Sequence, residues 1–169
     1  MVISIARAIA FCYGFLTPRR GKFMPDLDVI RNNVRKMLTA EFGTVKENDK
    51  GAFLIQNESS LTYVSFDDME RDKENVGMIS VFSLVVMGLK EVNKDLAVEL
   101  VTDMSRRWGV WFFVKRDDGL FNLIFQTSLI GATVDPVELK NAVYSVAFVS
   151  DEEDDKIVRK YGGEVYFTV

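Results

Sequence analysis

The sequence predicts an α+β protein, an antiparallel sheet packed on helices in the order helix-β-β-β-helix-β-β-helix. Segments whose apolar residues recur at helical spacing alternate with short runs rich in β-branched and aromatic residues. Only a few turn residues separate neighbouring β-like runs, which favours antiparallel pairing. The chain has 169 residues and neither repeats nor an internal linker, so it is expected to form one domain with a sizeable core.

Residues 1–25 form an apolar and basic extension ahead of the predicted domain, residues 26–169. The stretch Met1 to Leu16 is mostly apolar, and residues 1–25 contain basic side chains but no carboxylate. Since this segment carries +4 and the whole chain has a net charge of −4, residues 26–169 carry −8. Arg7 interrupts the apolar stretch, which fits a signal peptide poorly, and the stretch is too short to span a membrane. We expect a short helix that docks on the body or on a second subunit, without stable membrane insertion.

The body begins with an amphipathic helix from Asp26 to Phe42. Its apolar residues recur three or four positions apart, and Gly43 suits a left-handed terminator. Two β-like runs follow, Ala52 to Gln56 and Leu61 to Phe66, and the polar residues between them predict a hairpin.

A polar stretch, Asp67 to Asn75, separates this hairpin from the next strand and is predicted to be a solvated loop. The strand after it, Met78 to Met87, is apolar at both alternating sets of positions. The sets are Met78, Phe82, Leu84 and Val86 on one face, and Ile79, Val81, Val85 and Met87 on the other. We expect this strand to be covered on both sides.

A second helix is predicted from Asn93 to Trp108, and Gly109 ends it. The runs Val110 to Val114 and Leu120 to Thr127 follow as two strands. The Asp-Gly pair between them suits a tight turn, so they are expected to form a second hairpin.

The last helix has the clearest start signal in the chain. Asp135-Pro136-Val137-Glu138 supplies a capping carboxylate, a proline for the first helical position and a glutamate for a capping box. An acidic run, Asp151 to Asp155, interrupts the buried stripe before a continuation to Tyr161. Residues Glu164 to Val169 are expected to add a final strand.

Histidine is absent and Cys12 is the only cysteine. This composition excludes histidine general bases, serine–histidine and cysteine–histidine pairs and imidazole or thiolate metal clusters, so we expect no catalytic residue, metal or cofactor. Five consecutive acids at Asp151 to Asp155 point around a helix and do not converge on a cation. A single cysteine permits no internal disulfide, which fits a reducing, cytoplasmic location. The acidic body disfavours nucleic acid as a partner.

Several local strings, taken with the element order, resemble the YbjN family and the related chaperones of type III secretion over residues 26 to about 163. They are Asn93 to Lys115, Leu129-Ile130-Gly131, Asp135-Pro136-Val137-Glu138-Leu139, Val146-Ala147, Asp151, Asp154-Asp155 and Tyr161-Gly162-Gly163. The resemblance implies a dimeric, non-enzymatic module whose sheet and helices bind extended, partly unfolded polypeptide. It carries over no catalytic residue.

The strands also hold more apolar surface than one sheet face needs. Both Met78 to Met87 and Val110 to Val114 are apolar on two faces. The second face must be covered by the N-terminal segment, a second subunit or a bound polypeptide. We therefore predict a chaperone-like adaptor that covers apolar segments of a client protein or peptide as a homodimer. The predicted contacts are Phe53, Ile55, Tyr63, Phe82, Trp111 and Phe113, because large rigid side chains contribute most to such interfaces.

The alternative is a regulatory domain that senses a small metabolite in an apolar cavity, and a carboxylate-based hydrolase is a weaker third hypothesis. The shape of the apolar surface discriminates between the first two. A long open groove favours a peptide, whereas a closed cavity with a few converging polar groups favours a metabolite.

Overall fold

The computed structural model describes residues 26–57, 59–71, 74–103 and 108–167. These residues contain three helices and seven strands, so the predicted α+β class is confirmed. In chain order they are α1 (Leu27–Phe42), β1 (Lys46–Glu47), β2 (Phe53–Asn57), β3 (Ser60–Arg71), β4 (Glu74–Leu89), α2 (Lys94–Thr102), β5 (Val110–Lys115), β6 (Phe121–Ile130), α3 (Pro136–Tyr161) and β7 (Glu164–Val165). The helix expected within Met1 to Leu16 lies outside the described residues.

All described strands join one antiparallel sheet in the order β1-β2-β3-β4-β6-β5. The short β7 pairs with β4 past the end of β3, through Val86 with Val165 and Met87 with Glu164. β4, with 16 residues, is therefore the central strand, and both predicted hairpins are present.

The predicted loop at Asp67 to Asn75 is wrong. β3 and β4 continue as a paired hairpin through this stretch, from Asp67 opposite Met78 to Arg71 opposite Glu74. The polar side chains gave no indication of this hairpin, because strand pairing is made by backbone hydrogen bonds, which form in the same way whatever the side chains are.

α1 starts as predicted, with the Asp26 carboxylate accepting a hydrogen bond from the Asp28 amide at 3.1 Å. It buries Ile30, Val34 and Leu38 against the sheet. The contact is close because Gly77 of β4 and Gly131, just after β6, have no side chain there: a Cβ on Gly77 would lie 2.4 Å from Ile30 Cδ1.

α2 is shorter than the predicted Asn93 to Trp108, and it ends at Thr102 with Asp103 as its C-cap. Only Leu96 and Leu100 of this helix are buried. Packing supplies most of the stability of a helix in a protein. Residues 101–103 and Trp108 are exposed, so this described part of the segment adds no packing that would extend the helix. Trp108 instead lies in a turn and is 77% exposed.

α3 begins where the capping signal predicts, with the Asp135 side chain accepting from the amides of Val137 and Glu138 at 2.8 Å each. It then runs without a break to Tyr161, straight through the acidic stretch. At its end, Lys160 Nζ and Tyr161 Oη donate to Glu99 of α2 at 2.7 and 2.6 Å, which ties the two helices together.

The hydrophobic core lies between the helices and one face of the sheet, which we call the helix-covered face. All three described helices contribute to it, and its strand residues all point to the same side. They include Phe53, Ile55, Val64, Ile79, Val81, Leu123, Phe125 and Leu129.

A β-bulge changes the predicted faces of β4. The pairing with β6 shifts register between Leu84 and Val86, so that Leu84 opposes Ile124 but Val86 opposes Leu123. Val86 is consequently buried in the core together with Val85. The assignment of Val86 to the face of Met78, Phe82 and Leu84 was therefore wrong, because strict alternation fails where a strand bulges.

Candidate functional site

The opposite side of the sheet, which we call the open face, carries apolar side chains that take no part in the core cluster. The cross-strand register arranges it in rows. One row is Leu54, Tyr63, Phe82, Gln126 and Val110, a second is Leu84, Ile124 and Phe112, and a third at the end of the sheet is Asp67, Met78 and Ile130. The three described helices pack on the other side, so none of them covers this face.

An aromatic pair lies at the centre of the open face. The rings of Tyr63 and Phe82 are stacked, with centroids 5.2 Å apart and an interplanar angle of 10°. Tyr63 Oη is hydrogen-bonded at 2.5 Å to Oη of Tyr166, the residue that directly follows β7. Burial, followed by this hydrogen bond, raises the pKa of Tyr63, so the hydroxyl stays protonated at neutral pH. The pair offers a flat, rigid apolar platform.

A polar strip crosses the open face beside the platform. Ser65, Ser80 and Ser128 are aligned across three strands. The buried Gln126 amide donates to Ser80 Oγ at 3.3 Å and to Ser128 Oγ at 3.2 Å. The face therefore combines apolar contact area with two half-buried hydroxyls, Ser65 and Ser128, that can form hydrogen bonds.

Exposure differs across this face. Val110 and Ile130 are 53% and 51% exposed, whereas Ile124 is buried and the aromatic pair is half-buried. The more accessible apolar side chains therefore lie toward the β5 side and the Asp67 end.

The structure brings together two of the six predicted contact residues, Tyr63 and Phe82, on the open face. Phe53 and Ile55 lie in the core, 0% and 3% exposed. The guanidinium groups of Arg31 and Arg35 lie over the Phe53 ring, at 4.7 and 4.5 Å from its centroid.

Trp111 and Phe113 lie on the helix-covered face of the edge strand β5. Both are half-buried and pack against the core, and the Trp111 and Phe125 rings are 4.8 Å apart. Within the described part of the chain, the buried Nε1 of Trp111 has no hydrogen-bond partner. Whether any of the six residues contacts a client stays a prediction.

A second apolar surface, not found by the sequence analysis, is an open groove of about 660 Å³ along α3. Its exposed aromatic side chains are Trp108, Tyr144 and Phe148, which are 77%, 40% and 58% exposed. The exposure of Phe148 could have been predicted from the sequence, because it is a large apolar residue outside the buried stripe of an amphipathic helix.

Among the described residues, no three or more carboxylates are placed together so that they could hold a metal ion. Asp154 is the one member of the acidic run that is buried. Burial raises the pKa of its carboxyl, opposed by the hydrogen bond from the Asp155 amide. On the open face, burial and the nearby Asp68 carboxylate raise the pKa of Asp67. Neither carboxyl has a histidine beside it to act with, as the chain contains none.

Together, these features define an α+β binding module with helices on one face of its sheet and an apolar platform on the other. The chain belongs to the family described as T3SS (YopN, CesT) and YbjN peptide-binding chaperone 1, whose model matches residues 28–169. This membership confirms the resemblance found in the sequence and supports peptide binding of a chaperone type.

Comparison with one solved structure agrees with the fold. The crystal structure of YbjN from E. coli is similar, with a TM-score of 0.53, 18% sequence identity and coverage of 80% of this chain and 96% of that one. The solution structures of KmAtg10 match at a TM-score of 0.32 and 10% identity, over 86% and 97% of the two chains. The search of curated proteins gave no match. None of the described helices is long and apolar enough to cross a membrane.

Proposed function

We propose that this chain binds extended apolar segments of a client polypeptide across its open face, as a non-enzymatic chaperone-like adaptor in the cytoplasm. The observation that carries the proposal is the stacked Tyr63–Phe82 platform on a sheet face that the described helices leave uncovered. Rigid aromatic side chains supply large contact area at low entropic cost, which is why they dominate peptide interfaces. A homodimer is part of the proposal and rests on the family resemblance.

The dimensions of the face fit an extended segment. Met78 and Leu84 are six residues apart on β4, about 20 Å along the strand. An extended client of about six residues spans the same length, so its alternate side chains would meet the rows of Met78, Phe82 and Leu84. The half-buried hydroxyls of Ser65 and Ser128 in the polar strip can hydrogen-bond a client backbone that crosses the face.

The edge strand β5 provides a second means of holding the client. Its backbone pairs with β6 on one side only among the described strands. Strand addition at such an edge gives affinity through main-chain hydrogen bonds, while the side chains give preference for particular sequences. Val110, exposed on the open face of β5, lies at the meeting point of the two surfaces.

The test uses the full chain and a fluorescein-labelled, reduced and carboxymethylated α-lactalbumin, a soluble protein that stays unfolded. Binding is measured by fluorescence anisotropy for the parent chain, Phe82→Ala and the matched control Phe148→Ala. Phe82→Ala is expected to weaken binding by about 10- to 30-fold, the range for an aromatic hot spot. Phe148→Ala, which changes an exposed phenylalanine on α3, is expected to leave the Kd within about twofold.

Two results would overturn the proposal. Absence of binding by the parent chain at micromolar concentration would remove the chaperone-like function. Loss of binding in Phe148→Ala with full binding in Phe82→Ala would move the client site to the groove along α3. Circular dichroism of each variant verifies that a loss of binding is not a loss of fold.

A second candidate function is small-molecule sensing, and the groove along α3 is the observation that favours it. Its volume of about 660 Å³ lies in the range of ligand pockets, about 300–1,000 Å³. It is lined by both aromatic and polar side chains, although its open shape differs from the closed cavity expected for a metabolite. Quenching of Trp108 fluorescence by a metabolite mixture, measured in a Trp111→Phe background and abolished by the further change Phe148→Ala, would favour this function over client binding.

A further inference from the structure

The chain enters the described domain at one end of the sheet, on the helix-covered side. Side chains at the start of α1 lie against the sheet end formed by Gly77 and Gly131: Leu27 Cδ1 is 3.5 Å from where a Cβ on Gly77 would be, and Ile30 Cγ2 is 2.6 Å from the same point on Gly131. Gly77 directly precedes Met78, and Gly131 directly follows Ile130. Residues 1–25 therefore join the domain at the end of the sheet where the apolar row of Met78 and Ile130 begins.

The lengths of the two parts of the N-terminal segment match the open face. Residues 17–25 can span up to about 30 Å when extended, whereas packed layers lie about 10 Å apart. This linker can therefore pass around the end of the sheet. As a helix, residues 1–16 would be about 24 Å long, close to the roughly 20 Å between the Met78 and Leu84 rows.

The chemistry of the segment also matches the face. Its apolar residues Ile5, Ile9 and Cys12 recur at the spacing expected for one stripe of an amphipathic helix. The basic residues Arg19 and Arg20 belong to the linker sequence, and the described chain begins at the sheet end that carries Asp67. The segment is positive and the domain is negative, so the long-range electrostatics favour their association.

We propose that residues 1–16 of this same chain lie along the open face as an intramolecular stand-in for the client, with the basic linker passing Asp67. The inference rests on the proposed function, because the segment regulates binding only if a client uses the same face. The open face is then covered at rest, and a client must displace the segment. The affinity of the chain for clients is reduced by the fraction of molecules in which the segment is seated.

The test exploits Cys12, the only thiol in the chain. A second cysteine is introduced at Ser65→Cys on the open face or, as the matched control, at Ser145→Cys in the groove along α3. Mild oxidation with copper phenanthroline, followed by non-reducing electrophoresis and peptide mapping, reports disulfides within and between chains. A disulfide within one chain is expected in Ser65→Cys and not in Ser145→Cys.

The other outcomes each contradict the inference. A disulfide between two chains in Ser65→Cys would mean that a second copy supplies the segment. Equal cross-linking in both variants would show an unseated segment, and cross-linking only in Ser145→Cys would place it in the groove. If neither variant formed a disulfide, the segment would not lie on the open face.

A binding measurement tests the regulatory part with the same labelled α-lactalbumin. The double variant Ile5→Asp/Ile9→Asp disrupts the apolar stripe of the segment and is expected to bind the probe about tenfold more tightly than the parent. Unchanged affinity in this variant would overturn the regulation, while binding by the parent would leave the proposed function intact. Failure of both chains to bind the probe, with the Ser65→Cys disulfide present, would instead refute the proposed function and with it the competition.

Discussion

The fold places two phenylalanines of the same sheet, one on β2 and one on β4, in opposite environments. Phe53 on β2 lies in the core and is 0% exposed, whereas Phe82 on β4 is half-buried on the open face. The sequence predicts both as client contacts. The structure gives them different physical roles, so truncating each to alanine should produce different losses.

The size of each loss follows from the surroundings of the ring. Phe53→Ala leaves a cavity in the core, which costs about 3–5 kcal/mol of unfolding free energy. It also removes the ring beneath Arg31 and Arg35, which favours the upper part of that range. Phe82→Ala loses the stack with Tyr63 and part of an apolar burial, which together amount to about 1–2 kcal/mol.

Urea titration followed by circular dichroism measures both losses on one scale. The expected result is a loss for Phe53→Ala at least twice that for Phe82→Ala, with the same dependence on urea. Only Phe82→Ala is expected to weaken binding of the unfolded α-lactalbumin probe under conditions where both variants are folded. Equal losses of stability for the two variants would refute the placement of the core on the helix-covered face.

Three further predictions concern stability. Gly163→Ala should lower the unfolding free energy by about 2–5 kcal/mol, because φ is +88° and a Cβ would lie 2.7 Å from the Met87 carbonyl oxygen. The control Gly162→Ala, at φ +84° with open space around it, should lower it by only about 1–2 kcal/mol. Equal losses in thermal melts would show that the clash with Met87 does not contribute. Asp154→Asn should raise the Tm at pH 7. Burial raises the pKa of the folded Asp154 carboxyl above its unfolded value of 3.8, so the folded protein loses stability as the pH rises between these two pKa values. The gain in Tm should vanish below about pH 3.8, and a gain that persists there would exclude ionisation of Asp154 as its cause. Trp111→Ala should lower the Tm by several degrees, because the indole packs on Phe125, and an unchanged Tm measured by calorimetry would place it outside the core.

Local signals in the sequence located the elements whose ends are made by nearby residues. The Asp135 cap of α3 and the start of α1 at Asp26 both depend on hydrogen bonds that span two or three residues. The chain-wide order of helices and strands followed from the same short-range patterns. Where an element depends on a distant partner, the patterns failed: the paired hairpin through Asp67 to Asn75 and the end of α2 at Thr102 are set by the neighbouring strand and by packing.

The candidate site divides in the same way. Alternation along β3 and β4 could predict that Phe82 and Leu84 share a side of the sheet, and it failed at Val86 because a bulge needs the pairing partner to be known. The groove aromatics Trp108 and Phe148 come from separate elements and required the tertiary structure to bring them together.

The sequence by itself determined the class of fold, the order of its elements and a sheet too apolar for a single covered face. Only the tertiary structure decided which of the two faces the helices cover. A strand that is apolar on both sides stabilises either arrangement, so its own residues carry no preference. The choice is made by the contacts of α1 and α3 with distant strands, such as Ile30 at Gly77 and Ser150 Oγ at 2.9 Å from Ser83 Oγ, and these buried Phe53 while leaving Phe82 at the surface.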